Sequence, residues 1–294
     1  MDDPTDDLFA HYRRQQAASK FVLDTLIEAK KRIIAEITIL SDGDLKSGVS
    51  YEMARQILAE VNRAIDKAEK EYSRFLTGAF GDFAVRGYSA AASMMATFAA
   101  QYPSGFNSRT LRRFSAMSPR VNTDLLKITQ ETALQLLSQD ARNLVPKIKK
   151  ALGVNILTGG SRYDLINEIA GTGLRPGIFK SVEQRANAIA VTETTSIYNT
   201  AAMQAIEDAN QSIPDNNKIQ MQWRALLDKK TSSICRALNG ELREAGGFVC
   251  RTTKGGNGKK YDKPPAHPHC RSMIVPWKAD WQGIIDDMES KLKA

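Results

Sequence analysis

The sequence predicts an α+β protein, mostly α-helical, with a long helical hairpin and further helices, closed by a small C-terminal β-hairpin/sheet lobe. Three observations lead there. Apolar residues recur at helical spacing from Phe21 to Ile206. Past Lys218 the texture changes to short tryptophan- and isoleucine-bearing runs broken by Gly, Pro and Asn. A chain of 294 residues with 42% hydrophobic content also has enough apolar material for real cores.

Taken in order, Val22, Leu26, Ala29, Ile33, Ile37 and Leu40 mark one face of a first helix, and SDGDLKSG from Ser41 is a turn. Ser50 caps the next helix, whose inward face reads Ile57, Val61, Ile65, Ala68, Tyr72 and Phe75. The short loop between them predicts an antiparallel pair. A further, alanine-rich helix from Tyr88 to Ala100 stops at Pro103, and a loop follows. Helices resume from Leu125 to about Leu152, with Pro146 ending or kinking the run near Val145. TGGS from Thr158 is a glycine stop followed by the Ser161 cap of RYDLINEIA. A long helix starts near Ser181, with Val182, Ala186, Ile189, Ala190, Thr194, Ile197, Ala201 and Ile206 facing inward, and ends at SIPDNNK. IQMQWRALL reads as a strand, Asn239-Gly240 as a hairpin turn, KGGNGKKYDKPP as a basic loop and SMIVPW as a closing strand. The last residues form an amphipathic helix through Trp281, Ile284, Ile285, Met288 and Leu292. Domain organisation follows: 1–120 N-terminal helical, 121–212 central helical, 213–278 a C-terminal β lobe with Cys/His turns, and 279–294 a helical tail.

Charge is uneven. The formal excess of +8 is matched by Met221 to Lys278, where twelve Lys and Arg face four Asp and Glu, 12 − 4. A second cluster holds Arg109, Arg112, Arg113 and Arg120. Such patches suit an anionic partner, non-specific double-stranded DNA first, with Arg109, Arg112, Arg113, Lys254, Lys259, Lys260 and Lys263 as contacts, although a solvated face has the same composition. The opening residues are acidic without an apolar core, and no run reaches the length of a membrane span, so we expect a soluble protein made in a cytoplasm without membrane association.

Three cysteines are too few and too odd a number for a disulfide framework. Two of the three histidines and one cysteine crowd into PPAHPHCRSMIVPW. A turn of that kind presents donors together, and LDKKTSSICRALNG, with Asp228 and Cys235, is its natural mate. Cys235, His267 and Cys270 are the candidate ligands, with Cys250, His269 or Asp228 as the fourth; a structural zinc suits this set. The plainer alternative is that the thiols are small buried hydrophobes and the histidines merely sit between prolines. No CxxC is present, since Ser232 stands three residues before Cys235.

At these residues the chain resembles the phage Mu F-like head-morphogenesis proteins, minor head proteins of tailed bacteriophages. The resemblance rests on AVTETTSIYN (Ala190 to Asn199), Trp223, DKKTSSICRALNG (Asp228 to Gly240) and PPAHPHCRS (Pro264 to Ser272), in that order. It covers the last 110 or so residues closely. It matches Cys235, His267, Cys270, Asp228, Thr231 and Arg271 to the family motif, and places His269 at a variable position. Val191 stands where the family often has Arg, and Ser232 replaces the first Cys of two-cysteine variants, with Cys250 in what looks like an insertion. The resemblance implies a structural virion component that associates with the portal during capsid assembly and contacts packaged DNA, resides in the capsid interior or at the portal vertex, and is no enzyme. The alternatives are a zinc- or Cys/His-dependent enzyme acting on nucleic acid, with Cys235 and His267 as nucleophile and base, and a non-specific DNA-binding module. Neither a deaminase H-x-E with P-C-x-x-C nor an H-E-x-x-H is present.

Overall fold

The computed structural model describes residues 4–103, 105–119, 123–172, 176–252 and 258–293. Among these, helices dominate and two small antiparallel sheets lie near the C-terminus, as the sequence predicts. In chain order the elements are α1 (Pro4–Leu40), α2 (Tyr51–Gln101), α3 (Ser108–Ser115), α4 (Thr123–Arg142), α5 (Leu144–Thr158), α6 (Arg162–Ala170) and α7 (Ile178–Asn210). They are followed by β1 (Gln220–Arg224), α8 (Ser233–Leu238), β2 (Phe248–Val249), β3 (Lys260–Tyr261), β4 (Met273–Trp277) and α9 (Gln282–Lys293). Packing divides them into two compact units, one built from 17–78 and 130–190, the other from 1–16, 79–129 and 191–294.

The first of these units holds the helical hairpin. Val22, Leu26, Ile33 and Ile37 of α1 and Ile57, Val61 and Ile65 of α2 are at most 1% exposed; each such side chain contributes about 1.5–3 kcal/mol. Their antiparallel register is fixed by the Tyr72 hydroxyl donating to the Val22 carbonyl, by the Phe21 ring stacked on Phe75 at 3.9 Å, and by the Arg32–Glu60 ion pair at 2.8 Å. Ser50 caps α2 by accepting from the Met53 amide. Gly159, at φ 65°, ends α5, and Ser161 and Asp164 form a reciprocal capping box on α6. Pro146 does not break a helix: the interruption falls at Asn143, and Pro146 occupies the first turn of α5, where its missing N–H is needed by no partner.

Along the helices, two sequence expectations give way. The helix capped by Ser50 and the helix from Tyr88 to Ala100 are one continuous α2. Glycines 78, 81 and 87 interrupt its propensity but not its hydrogen bonding, and packing outweighs the roughly 1 kcal/mol each costs. The stretch after Pro103, expected to be a loop, contains α3: the Asn107 side chain caps it by accepting from the Thr110 amide, and Thr110 and Phe114, one turn apart, are its buried side. α7 begins at Ile178, three residues before Ser181.

β1 and β4 pair antiparallel with Trp223 opposite Ile274, and Trp223 is fully buried against Phe248. Asn239-Gly240 does not form the hairpin turn. Asn239 ends α8, and its side chain accepts from the Ala225 amide at 2.8 Å, which holds the turn against β1. The following residues run along β1, with Gln222 opposite Leu242. The tight reversal lies at Ala245-Gly246, between Glu244 and Gly247, where both glycines have positive φ. The tail helix α9 packs through Ile285 and Met288, preceded by Trp281, whose indole meets Phe98 and Phe106; the Leu292 side chain lies outside the described residues.

Candidate metal centre

Two turns build the site. The first runs from Leu226 into α8. Asp228 shapes it: its carboxylate accepts from the Lys230 amide at 2.8 Å and the Thr231 hydroxyl at 3.1 Å, while its own amide donates to Thr231 Oγ1. Ser232 then caps α8 by accepting from the Cys235 amide at 3.1 Å, which brings two side chains three residues apart onto one side of the helix start. The second turn is HPHC, closed by the Cys270 amide donating to the His267 carbonyl at 3.2 Å.

The turns meet. Cys235 Sγ lies 3.0 Å from His267 Nε2 and 3.6 Å from Cys270 Sγ, and the three donor atoms lie within 4.8 Å of one another. Both thiols are buried, at 3% and 0% exposed, and His267 is half-buried. Arg271 clamps the first turn to the second through a two-pronged contact with Asp228, 2.7 and 2.6 Å. That guanidinium holds the Asp228 carboxyl well below the usual carboxylate range.

The residues fit a metal. His267 Nδ1 lies 2.7 Å from the Pro268 carbonyl, which can only accept, so Nδ1 carries the ring proton and the Nε2 lone pair is presented to the cysteines. This is the tautomer and orientation of a ligating histidine. The Cys270 thiol and, after it, the hydroxyls of Ser272 and Ser232 and the charge of Arg271 hold the Cys235 thiol down; the same pairing and burial push Cys270 up, so the pair readily carries one thiolate. The two separations from Cys235 Sγ sit about 0.2–0.6 Å inside the edges of a zinc tetrahedron with these donors, a span that small side-chain rotations cover. Three ligands are therefore close enough to hold an ion. Such an ion would bind the two turns together and require both thiols deprotonated.

The expected fourth ligands are elsewhere. Cys250 is buried beside the β2–β3 ribbon with its sulfur toward Thr252. His269 is exposed at φ 59°, its amide donating to Thr192 Oγ1 at 3.4 Å, and Asp228 is engaged by Arg271. Ser232 lies nearer than any of them, its hydroxyl at hydrogen-bond distance, 2.7 Å, from His267 Nε2. Its spacing to Cys235 and its capping character were the sequence signals for that placement.

Sequence reasoning also missed what fixes the second turn from behind. Thr195 of α7 donates to the Cys270 carbonyl at 3.1 Å. Asn199, one turn on and fully buried, donates to the Ser272 carbonyl at 3.2 Å and accepts from the Ile274 amide at 2.7 Å. Tyr12 of α1 donates to the Arg271 carbonyl at 2.5 Å. Thr192, Thr195 and Asn199 form one helical face reading the backbone of the turn, and this gives the AVTETTSIYN motif its physical role.

Of the basic residues, Arg109, Arg112 and Arg113 project from the exposed side of α3 at spacings of three and four, opposite Thr110 and Phe114. Lys259 and Lys260 are exposed and Lys263 half-buried; Lys254 and Arg120 lie outside the described residues. Several lobe arginines are paired internally: Arg224 with Asp286, Arg243 with Asp262, and Arg251 with Glu241 and Glu244.

A helical protein carrying a small β lobe, closed by Cys/His turns keyed to a long helix, is the class that this fold and site define. Residues 146–275 match the family model described as Phage Mu protein F like protein, and over that stretch the chain is similar to the phage Mu F-like head-morphogenesis proteins. No curated protein and no solved structure matches the chain.

Proposed function

We propose that the protein is a structural minor head protein of a tailed bacteriophage, which joins the portal during capsid assembly, lies in the virion at the capsid interior or portal vertex, and contacts packaged DNA without reading sequence. The observation that carries this reading is that the family-matching stretch holds both closing turns and the helix that fixes them. In this reading Cys235, His267 and Cys270 hold a structural zinc, which contributes stability to the 213–278 lobe by joining its two turns. Burial of both thiols favours that role over a nucleophilic Cys235. The exposed arginine face of α3, with Lys259, Lys260 and Lys263, supplies phosphate contacts.

Capture of the purified chain by the cognate portal oligomer or by procapsids tests the assembly role; binding to neither rejects it. Elemental analysis tests the metal: the native chain retains zinc, and Cys235→Ser loses most of it. Equal zinc in the two proteins removes Cys235 from the site.

A further inference from the structure

Three donors leave a tetrahedral ion one corner short, and a sulfur is the usual occupant of that corner in sites closed by two turns. Here no third sulfur is near: Cys250 points to Thr252. Two hydroxyls are near. Ser232 Oγ is 2.7 Å from His267 Nε2, on the same side of the ring as Cys235 Sγ. The Cys235 amide donates to the same oxygen at 3.1 Å, so the backbone fixes it beside the group. The second hydroxyl, Ser272, is 1% exposed and faces the Cys235 thiol.

The two hydroxyls are not equivalent. Ser232 lies at the start of α8, half-exposed, and its oxygen reaches the histidine nitrogen. Ser272 sits at the foot of β4, in a chain segment whose carbonyl is already held by Asn199. Ser232 and His267 are thus the part-exposed groups of the cluster, and the two thiols its buried side.

We propose that Ser232 completes this metal centre with an oxygen, giving a two-sulfur, one-nitrogen, one-oxygen site whose fourth corner is held by a weak, neutral donor that water can displace, unlike a closed structural site with a third thiolate. The inference rests on the metal reading above. Its consequence is a centre that takes up and releases its ion more readily than a four-ligand cysteine/histidine site, so closure of the lobe depends on free zinc. With a neutral hydroxyl in place of a thiolate, the site also carries one negative charge fewer against the cation.

Cobalt(II), added to the metal-free full-length protein, reports the ligand set directly through its visible bands and its thiolate charge-transfer absorption. The native chain gives the spectrum of a four-coordinate ion with two thiolates. In Ser232→Cys the charge-transfer absorption rises by about one half, two thiolates becoming three, and competition with a chelator shows zinc held at least about tenfold more tightly. Ser232→Thr keeps the native spectrum, whereas Ser232→Ala shifts the visible bands and weakens binding; Ser272→Ala leaves the bands in place. An unchanged thiolate absorption in Ser232→Cys, or a band shift in Ser272→Ala but not in Ser232→Ala, overturns the assignment of the corner to Ser232. Cobalt bound by Ser232→Cys but not by the native chain rejects Ser232 as a ligand. Failure of every variant to bind cobalt or zinc rejects the metal reading itself. Thermal melts of the metal-free variants separate any loss of the α8 cap from loss of a ligand.

Discussion

His11 is 2% exposed, its ring 4.0 Å from that of Tyr198 and 5.5 Å from that of Phe83, and its Nδ1 meets no hydrogen-bond partner. Burial lowers its pKa from 6.5 to about 3. Between those values the unfolded chain binds a proton that the folded chain refuses, so stability falls as pH falls. The slope for this group is about 1.4 kcal/mol per pH unit, roughly 2 kcal/mol between pH 7 and pH 5. Urea unfolding at the two pH values measures it, and His11→Phe removes that part of the dependence. Glycines separate by environment in the same way. A Cβ on Gly87 would stand 2.1 Å from the Tyr198 carbonyl oxygen, whereas one on Gly78 meets nothing within 4 Å. Gly87→Ala should cost about 1–3 kcal/mol by overpacking, and Gly78→Ala should gain about 0.8–1 kcal/mol of helix propensity, both read from thermal unfolding. Both are helical glycines in one element, and the sequence does not tell them apart: the difference lies in what packs against the helix.

At the scale of elements, local signals were read where they are self-contained. The Ser50 and Ser161 caps, the Gly159 stop and the apolar stripes of α1 and α2 depend on neighbours within a turn or two, and each is where the sequence puts it. The length of α2, the presence of α3 and the position of the reversal at Ala245-Gly246 were misread, because helices and turns also answer to distant surfaces. Asn239 illustrates this: it had the chemistry of a hairpin turn, but its side chain is taken by the Ala225 amide. The face of α7 that holds the HPHC turn was visible only as a motif without a reason. Its energetic weight can be measured. Asn199→Ala leaves the Ser272 carbonyl and the Ile274 amide without their partner in a buried setting, at about 1–3 kcal/mol each. A total loss near 3 kcal/mol in chemical denaturation, with reduced retention of zinc, is expected. Thr200→Ala, on the same helix but donating only to the Ser196 carbonyl, should stay within about 0.5 kcal/mol and serves as the control.

For the whole molecule, the formal charge of +8 overstates what is offered to a partner. Arg224, Arg243, Arg251 and Arg271 are each paired with a carboxylate, while Arg109, Arg112 and Arg113 stand on one exposed helical face. If that face meets DNA, neutralising its three arginines should lower the salt dependence of binding by about 2–3 in the slope of log K against log salt, at roughly 0.9 per phosphate contact. Titration of a random-sequence duplex at several salt concentrations measures it, and an unchanged slope removes α3 from the interface. No helix among the described residues is long and apolar enough to cross a membrane. By itself, the sequence determined the helical body, the β lobe and the three Cys and His side chains that cluster between the two turns, because periodicity, caps and donor chemistry are written in neighbouring residues. Only the tertiary structure decided that Ser232 rather than Cys250 lies beside them, that Asn199 and Thr195 hold the turn from behind, and which arginines stay exposed. Those outcomes depend on which of many chemically eligible groups come within about 3 Å, and residues far apart in sequence do not encode that distance locally.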